Sequence, residues 1–207
     1  MPSKLFFELH DEKKMKIMKA AISEFAAYGY INASTNTIVK NSGISKGSLF
    51  KYFINKEELY FYLLDMITAE LIESMEKQSA ALPPELFQRV IAYSALEFSW
   101  YVQNPVKSKL IIGAFTKSDT EIYHKTAKRY GAKELDIFYK LLEDVDWHNF
   151  RWGRQKTTHT LKWFLKGFNE DFLANVSMEN HSFAHVQNTY IQRLTEYLEI
   201  LKYGLLK

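Results

Sequence analysis

Apolar residues recur along most of this chain at the three- and four-residue spacing of amphipathic helices. Between residues 11 and 28, Met15, Ala21 and Phe25 fall on one face, while lysines occupy the other. The stretch 57–79 repeats the pattern with leucine, isoleucine and methionine. No stretch alternates convincingly with the period of two that strands require. The pattern therefore predicts an all-α protein of about nine helices.

The same spacing continues beyond Pro83 and Pro84, which interrupt the helical pattern and indicate a domain boundary. Residues 144–156 contain Asp146 and Gly153 and are predicted to form a loop. Five more helices are predicted, over 85–103, 106–115, 119–143, 157–175 and 182–203.

Three helix starts lie close together in the N-terminal third of the chain. Ser34 or Thr35 can cap a first short helix, and Gly43 follows its end, where a left-handed residue is favoured. Ser45 can cap a second short helix, and Asn55 can cap a much longer third one. Two short helices joined by a glycine turn predict a helix-turn-helix, whose second helix enters the major groove of DNA.

The predicted helix-turn-helix, over about residues 34–53, lies in the basic part of the chain. Residues 13–56 contain eight lysines and one acid, Glu24. The net charge of +3 comes entirely from residues 1–60, because the remaining chain has 18 bases and 18 acids. A lysine-rich stretch alone is equally typical of a solvated surface, but its coincidence with two capped short helices favours a phosphate-binding face.

The amino-acid composition excludes several classes of protein. The 207 residues are 47% hydrophobic and 25% charged, which excludes a disordered chain. The absence of cysteine excludes disulfides and thiol chemistry. No signal-peptide pattern follows the N-terminus, and no apolar run approaches the ~18 residues of a membrane span. We therefore expect a soluble, cytoplasmic protein with no membrane partner.

The N-terminal pattern resembles the signature of the tetracycline-repressor (TetR) family over roughly residues 11–71. Many positions match at fixed spacing without a gap: Ala20-Ala21, Phe25, Gly29-Tyr30, Ser34-Thr35, Ile38, Ser42-Gly43-Ile44-Ser45, Gly47, Leu49, Tyr52-Phe53 and Asn55-Lys56-Glu57. Val39 and Ser42 replace the usual alanines, and Phe50 replaces a usual tyrosine whose hydroxyl often reaches a phosphate. These departures alter packing and one contact without changing the assignment.

The resemblance implies two domains, a DNA-binding domain at 11–71 and an effector-binding and dimerisation domain at 84–207. The implied function is a homodimeric repressor that a lipophilic or aromatic small molecule releases from a palindromic operator of double-stranded DNA. The alternative is a constitutive DNA-binding or small-molecule-binding dimer without allosteric release. The last two long helices would form the dimer through apolar stripes, comprising Leu161, Phe164, Leu165, Phe168, Phe172, Val186, Tyr190, Leu194 and Leu201.

By the same resemblance, nine residues of the helix-turn-helix region face DNA: Thr35, Asn36, Lys46, Gly47, Ser48, Phe50, Lys51, Tyr52 and Lys56. Lys51, Tyr52 and Lys56 suit phosphates. Asn36, Lys46 and Ser48 can reach base edges and form hydrogen bonds with them. No arginine precedes Arg89, so the arginine–guanine contact is absent, and we expect half-sites rich in adenine and thymine.

Aromatic residues are concentrated in the C-terminal part, where helical spacing makes each one more typical of core than of a ligand site. By resemblance, a subset of nine aromatics lines the effector pocket: Tyr93, Trp100, Tyr101, Phe115, Tyr123, Tyr130, Phe138, Trp163 and Phe164. Such a pocket suits a lipophilic or aromatic effector. The charges available for a polar head group are Glu97, Lys107, Lys109 and Lys166.

The sequence gives little support for a metal site, a phosphate-binding loop or a catalytic site. His181 and His185 are four residues apart, but two imidazoles without a third ligand make a poor metal site. The phosphate-loop pattern GxxxxGK[ST] is absent, and no nucleophile elbow occurs. We therefore expect no catalytic residues, metal or cofactor, and an enzyme is the disfavoured alternative.

Overall fold

The computed structural model describes residues 1–79, 81–116, 118–175 and 183–205, with side chains except at 79, 132–137, 173, 174, 183 and 205. These ranges contain ten helices and no strand, which confirms the all-α class. The helices are α1 (Lys4–Phe7), α2 (Asp11–Asn32), α3 (Thr35–Ser42), α4 (Lys46–Tyr52), α5 (Lys56–Ser79), α6 (Leu86–Gln103), α7 (Pro105–Phe115), α8 (Glu121–Leu141), α9 (Gly153–Asn175) and α10 (Phe183–Leu205).

The helix bounds differ from the sequence prediction in a few places, each with a local cause. α2 extends to Asn32 only across a break at Gly29, whose φ of 65° and ψ of 178° are non-helical, so its regular part ends at residue 28 as the sequence pattern indicated. α8 begins at Glu121 rather than at residue 119, because Thr120 caps it and its Oγ1 accepts a hydrogen bond from the Tyr123 N–H at 3.3 Å. α9 begins at Gly153, inside the predicted loop.

The described chain packs as two compact units. Unit 1 comprises residues 1–72 and 104–115, and unit 2 comprises 73–103 with the described part of 116–207. α7 therefore packs with unit 1, although the sequence placed 84–207 in one C-terminal domain. The physical reason is that Leu110, Ile111 and Ala114 of α7 are buried, and that α7 packs extensively against α2.

The core of unit 1 holds the two short helices in place. Ile38 of α3 and Leu49 of α4 are almost completely buried. Phe6 of α1 lies against Phe53, with ring centroids 4.8 Å apart, and against Tyr62 of α5 at 5.5 Å. Aromatic packing of this kind stabilises beyond simple area burial, so the position of α4 depends on the long helix and on α1.

The core of unit 2 is built around α6 and α10. Phe98 and Tyr190 lie with ring centroids 4.6 Å apart across these helices. Arg89 of α6 is buried, and its guanidinium donates to the carbonyl oxygens of Leu141 at 2.6 Å and Pro83 at 3.1 Å. A buried cation requires such partners, so Arg89 joins α6 to the end of α8. Within the described ranges, no helix combines the length and apolarity needed to cross a membrane.

Candidate nucleic-acid interface and ligand clefts

Side-chain caps define the helix-turn-helix as the sequence predicted. The Ser34 Oγ accepts from the Thr37 N–H at 3.4 Å, and the Ser45 Oγ accepts from the Ser48 N–H at 3.0 Å. Between the two helices Gly43 adopts φ 69° and ψ 29°, a left-handed conformation that glycine reaches without strain. The turn therefore follows from local chemistry.

Most of the nine residues that the sequence assigned to DNA contact are at the surface. Thr35 and Ser48 are half-buried, and the Ser48 Oγ is already 2.9 Å from the Ser45 Oγ. The exposed members are Asn36, Lys46, Gly47, Phe50 and Lys51. The exposed side of α4 thus presents two lysines, a glycine and an aromatic ring.

Tyr52 occupies a different environment from its predicted neighbours on α4. Its side chain is 9% exposed, and its ring lies 6.2 Å from that of Phe6. The ring therefore anchors the end of α4 in the core, and its predicted phosphate contact stays a prediction.

Lys56 also has a structural role within unit 1. Its Nζ donates to the Ile31 carbonyl oxygen at 3.1 Å and lies 4.9 Å from the centroid of the Tyr30 ring. Burial lowers the pKa of Lys56, and the carboxylate of Glu24 partly opposes that effect. The ammonium thus holds the end of α2, and its phosphate contact also remains a prediction.

The sequence prediction missed the N-terminal segment that supports α4. Ser3 donates its backbone N–H to the Tyr52 carbonyl at 2.9 Å and its Oγ–H to the Lys51 carbonyl at 2.7 Å. These bonds satisfy carbonyls that the end of a helix leaves without partners. The signal was the apolar triplet at Leu5, Phe6 and Phe7, of which the middle ring is completely buried.

The nine aromatics assigned to an effector pocket do not all belong to one unit. Phe115 ends α7 in unit 1, and Trp163 on α9 is 70% exposed. The buried members are Trp100, Tyr101 and Tyr130, and the half-buried members are Tyr93, Tyr123, Phe138 and Phe164. Of the charged candidates, Lys107 and Lys109 also lie on α7 in unit 1, where Lys107 forms an ion pair of 2.6 Å with Glu70.

Within unit 2, Glu97 lies among tyrosines that the sequence only partly identified. The Tyr101 hydroxyl donates to the Glu97 Oε1 at 2.6 Å. Burial, and then the charge of Glu97, raise the pKa of Tyr93, Tyr101 and Tyr190. The tyrosines therefore stay neutral hydrogen-bond donors at ordinary pH. Tyr190 was assigned to the dimer stripe, but its hydroxyl donates to the Asn169 Oδ1 at 2.6 Å.

Described residues of unit 2 line two of the surface clefts. One, of about 170 Å³, is lined by Phe164, Phe168, Asp171, Arg193 and Tyr197. The other, of about 360 Å³, lies where the end of α8 meets the start of α9, and it is lined by Tyr139, Leu142, Arg154, Gln155, Thr158 and His159. Phe164 is the only one of the nine predicted pocket aromatics that lines either of these clefts.

The apolar stripes assigned to dimerisation are largely buried within the protomer. The buried members are Leu161, Phe168, Phe172, Val186, Tyr190 and Leu194. Burial inside unit 2 explains their periodicity without a partner subunit. The exposed large apolar residues on α9 and α10 are instead Trp163, Tyr197, Ile200 and Tyr203.

The described part of the chain contains no cluster of potential metal ligands. No group of three or more His, Cys, Asp or Glu residues there has the arrangement to hold a metal ion. Of the histidine pair discussed above, His181 lies outside the described residues and His185 is exposed on α10.

Comparison with known sequences places the N-terminal region among regulators. The model of the family described as bacterial regulatory proteins, tetR family, matches residues 17–63. The fatty acid metabolism regulator protein of Bacillus subtilis (strain 168) is 34% identical over 65 residues, 31% of this chain and 34% of that protein. The uncharacterized HTH-type transcriptional regulator YhgD of the same organism is 33% identical over 76 residues, 37% and 38% of the two chains. The match thus spans little more than a third of these relatives' length.

Comparison with solved structures extends the likeness in fold to the whole chain. A TetR family transcriptional regulator from Chloroflexus aurantiacus J-10-FL has a TM-score of 0.61 at 18% identity, over 100% of this chain and 99% of that one. The transcriptional regulator FadR from Bacillus subtilis, solved in complex with stearoyl-CoA, has a TM-score of 0.66 at 17% identity, over 87% of this chain and 97% of that one. These four relatives and neighbours are regulators rather than enzymes.

Proposed function

Because the N-terminal domain of this chain belongs to the tetR family of bacterial regulatory proteins, we propose that the chain is a homodimeric, ligand-responsive repressor. α4 enters the major groove of a palindromic operator, and a lipophilic or aromatic small molecule releases the dimer. Residues 11–71 bind DNA, and residues 84–207 bind the effector and form the dimer. The observation that carries this proposal is α4 itself, where Lys46 and Lys51 are exposed while Leu49 is buried.

The surface residues of the helix-turn-helix divide into two roles. Lys51 is exposed at the end of α4, and its flexible ammonium suits a phosphate. Asn36 is exposed in the first turn of α3, and its amide can donate and accept together, which suits adenine in the major groove. Phe50, 40% exposed on α4, can contact a thymine methyl group. These chemistries favour half-sites rich in adenine and thymine.

Release requires that the effector bind one arrangement of the dimer more tightly than the other. The chain passes between the units three times: α5 belongs to unit 1 only as far as residue 72, and α7 belongs to unit 1 although its flanking helices α6 and α8 belong to unit 2. An effector that shifts α6 or α8 therefore pulls on α7, which is packed on α2. We propose that this movement, with a tilt of α5, changes the separation of the two α4 helices.

The operator test uses duplexes enriched from a random library, with binding measured at several salt concentrations. Lys51→Ala should weaken all duplexes about equally and flatten the log–log salt slope by about one unit for each lysine removed. Asn36→Ala should lose about 1–3 kcal/mol of discrimination at one symmetric pair of positions and leave the salt slope nearly unchanged. Equal weakening of all sequences by both variants would leave Asn36 without a base-reading role.

The effector test titrates the protein–operator complex with lipophilic compounds. Long-chain acyl-CoA is in the panel because stearoyl-CoA is bound in the structural neighbour FadR. An effector should raise the melting temperature and weaken operator binding over the same concentration range. Stabilisation without any change in operator affinity would instead support the alternative, a small-molecule-binding dimer without allosteric release.

A further inference from the structure

The cleft between the end of α8 and the start of α9 has a charge pattern that the proposed function does not use. Residues 147–169 contain five lysines and arginines and no acidic residue, although the chain from residue 61 onward carries equal numbers of bases and acids. Those five cations are Arg151, Arg154, Lys156, Lys162 and Lys166. Among the described residues, none of the five forms an ion pair, although Arg151, Arg154 and Lys156 lie over tryptophan rings.

The start of α9 concentrates this charge further. Its first turn has no acidic residue and instead carries Arg154 and Lys156. The first turn of a helix also bears unpaired N–H groups and the positive end of the helix dipole, which together attract anions and disfavour cations. Placing two cations there is unfavourable for the isolated chain, and a bound anion would remove that cost.

The cleft at this helix start has the walls of a ligand site. It measures about 360 Å³, and Leu142 and Tyr139 of α8 give it an apolar side, whereas Arg154, Gln155 and His159 of α9 give it a polar one. Its lining among the residues with described side chains contains no acidic residue. Small-molecule sites combine apolar walls with a few convergent polar groups in this way.

A buried hydroxyl in the same wall has no partner. Thr158 lines the cleft, is 5% exposed, and its Oγ1 makes no hydrogen bond within the described structure. Buried polar atoms nearly always have a partner, because an unpaired hydroxyl costs free energy. An acceptor atom that reached this hydroxyl after a small side-chain adjustment would satisfy it.

We propose that this cleft binds a small organic anion, consisting of a carboxylate or phosphate group attached to an apolar body. The oxyanion binds to Arg154 and to the first-turn N–H groups of α9, with Thr158 as a further donor. The apolar body packs on Leu142 and Tyr139. The site does not depend on DNA binding, so its test is separate from that of the proposed function.

The test measures binding to the full chain by isothermal titration calorimetry without DNA. The probes are phenyl phosphate and benzoate, with benzamide as the neutral counterpart and inorganic phosphate as the anion without an apolar body. We expect saturable binding of at least one aromatic anion at one per chain, and the tighter of the two identifies the preferred oxyanion. We expect weaker binding of inorganic phosphate and none of benzamide.

Three variants locate the site. Arg154→Gln should weaken binding of the aromatic anion about tenfold or more, because a charge-assisted hydrogen bond is lost. Arg151→Gln is the matched control, since Arg151 is exposed nearby but lies outside the cleft lining, and it should change affinity by less than about twofold. Thr158→Val keeps the side-chain shape, and it should weaken binding severalfold while the far-ultraviolet circular dichroism stays unchanged.

Several results would overturn the proposal. One is the absence of saturable binding by both aromatic anions. A second is equal weakening by Arg151→Gln and Arg154→Gln, which would mean diffuse attraction to a basic surface. A third is benzamide binding as tightly as benzoate, and a fourth is inorganic phosphate binding as tightly as phenyl phosphate, which would remove the apolar part of the site.

Discussion

α5, which begins in unit 1, and α9 of unit 2 begin in opposite ways. α5 begins after Asn55, whose Oδ1 accepts from the Glu58 N–H at 2.8 Å, and its first turn contains Glu57 and Glu58. α9 begins at Gly153 and carries Arg154 in its first turn, with no acid. Acids stabilise a helix start and cations destabilise it. The start of α5 is therefore capped within unit 1, whereas the first turn of α9 carries cations where an acid would be favourable.

A core substitution in unit 1 should change the free energy of unfolding more than any other variant proposed here. It also tests whether the two units unfold independently. Phe53→Ala should destabilise unit 1 by about 3–5 kcal/mol, because Phe53 is buried against Phe6 and Tyr62. All four tryptophans lie in unit 2, so tryptophan fluorescence reports unit 2, while circular dichroism reports both units. In urea, the circular dichroism transition should shift strongly and the fluorescence transition much less.

The control for this substitution is Phe7→Ala, because Phe7 neighbours the same cluster but is about half exposed. It should have a much smaller effect. Equal shifts of the fluorescence and circular dichroism transitions in Phe53→Ala would mean that the two units unfold as one cooperative body.

Removing the cap of α5 tests the satisfied helix start. Asn55→Ala should lower the free energy of unfolding by about 1 kcal/mol, because the Glu58 N–H loses its acceptor. Asn41→Ala is the control, since Asn41 is exposed on α3 and lies at no helix start. If both variants shift the urea midpoint equally, the cap contributes nothing specific.

Removing the Thr158 hydroxyl tests whether this buried group near the start of α9 lacks a hydrogen-bond partner in solution. Without ligand, Thr158→Val should stabilise unit 2 by up to about 1 kcal/mol, since a buried hydroxyl lacking a partner is replaced by a methyl group. Thr160→Val, at a half-buried position on the same helix, should change stability little. The readout is the urea midpoint by tryptophan fluorescence, and a destabilised Thr158→Val would show that the hydroxyl makes a hydrogen bond in solution.

Reversing a charge at the start of α9 gives the smallest effect. Lys156→Glu should stabilise α9 by about 0.3–1 kcal/mol at low salt, because an acid in the first turn complements the helix dipole. Lys162→Glu, farther along the helix, should lack this gain because the dipole effect is confined to the first turn. Thermal unfolding at low and high salt should show a gain for Lys156→Glu that salt removes; a gain that persists in high salt would indicate another cause.

The sequence alone determined the helix-turn-helix and the all-α class. Ser34, Gly43, Ser45 and Asn55 act through hydrogen bonds and backbone preferences that span only a few residues, so their roles can be predicted from local chemistry. The same locality explains why the exposed lysines of α4 were identified correctly as surface residues.

Tertiary structure decided which units the remaining residues join and what they contact. Helical periodicity shows that one face of a helix is apolar, but it does not distinguish burial within the protomer from burial against a partner; Leu161 and Leu194 are fully buried within unit 2. The docking of α7 on α2, the tie between Lys56 and Ile31, and the cleft at Arg154 join residues far apart in the chain. Such contacts depend on how whole helices pack, which local sequence patterns do not specify.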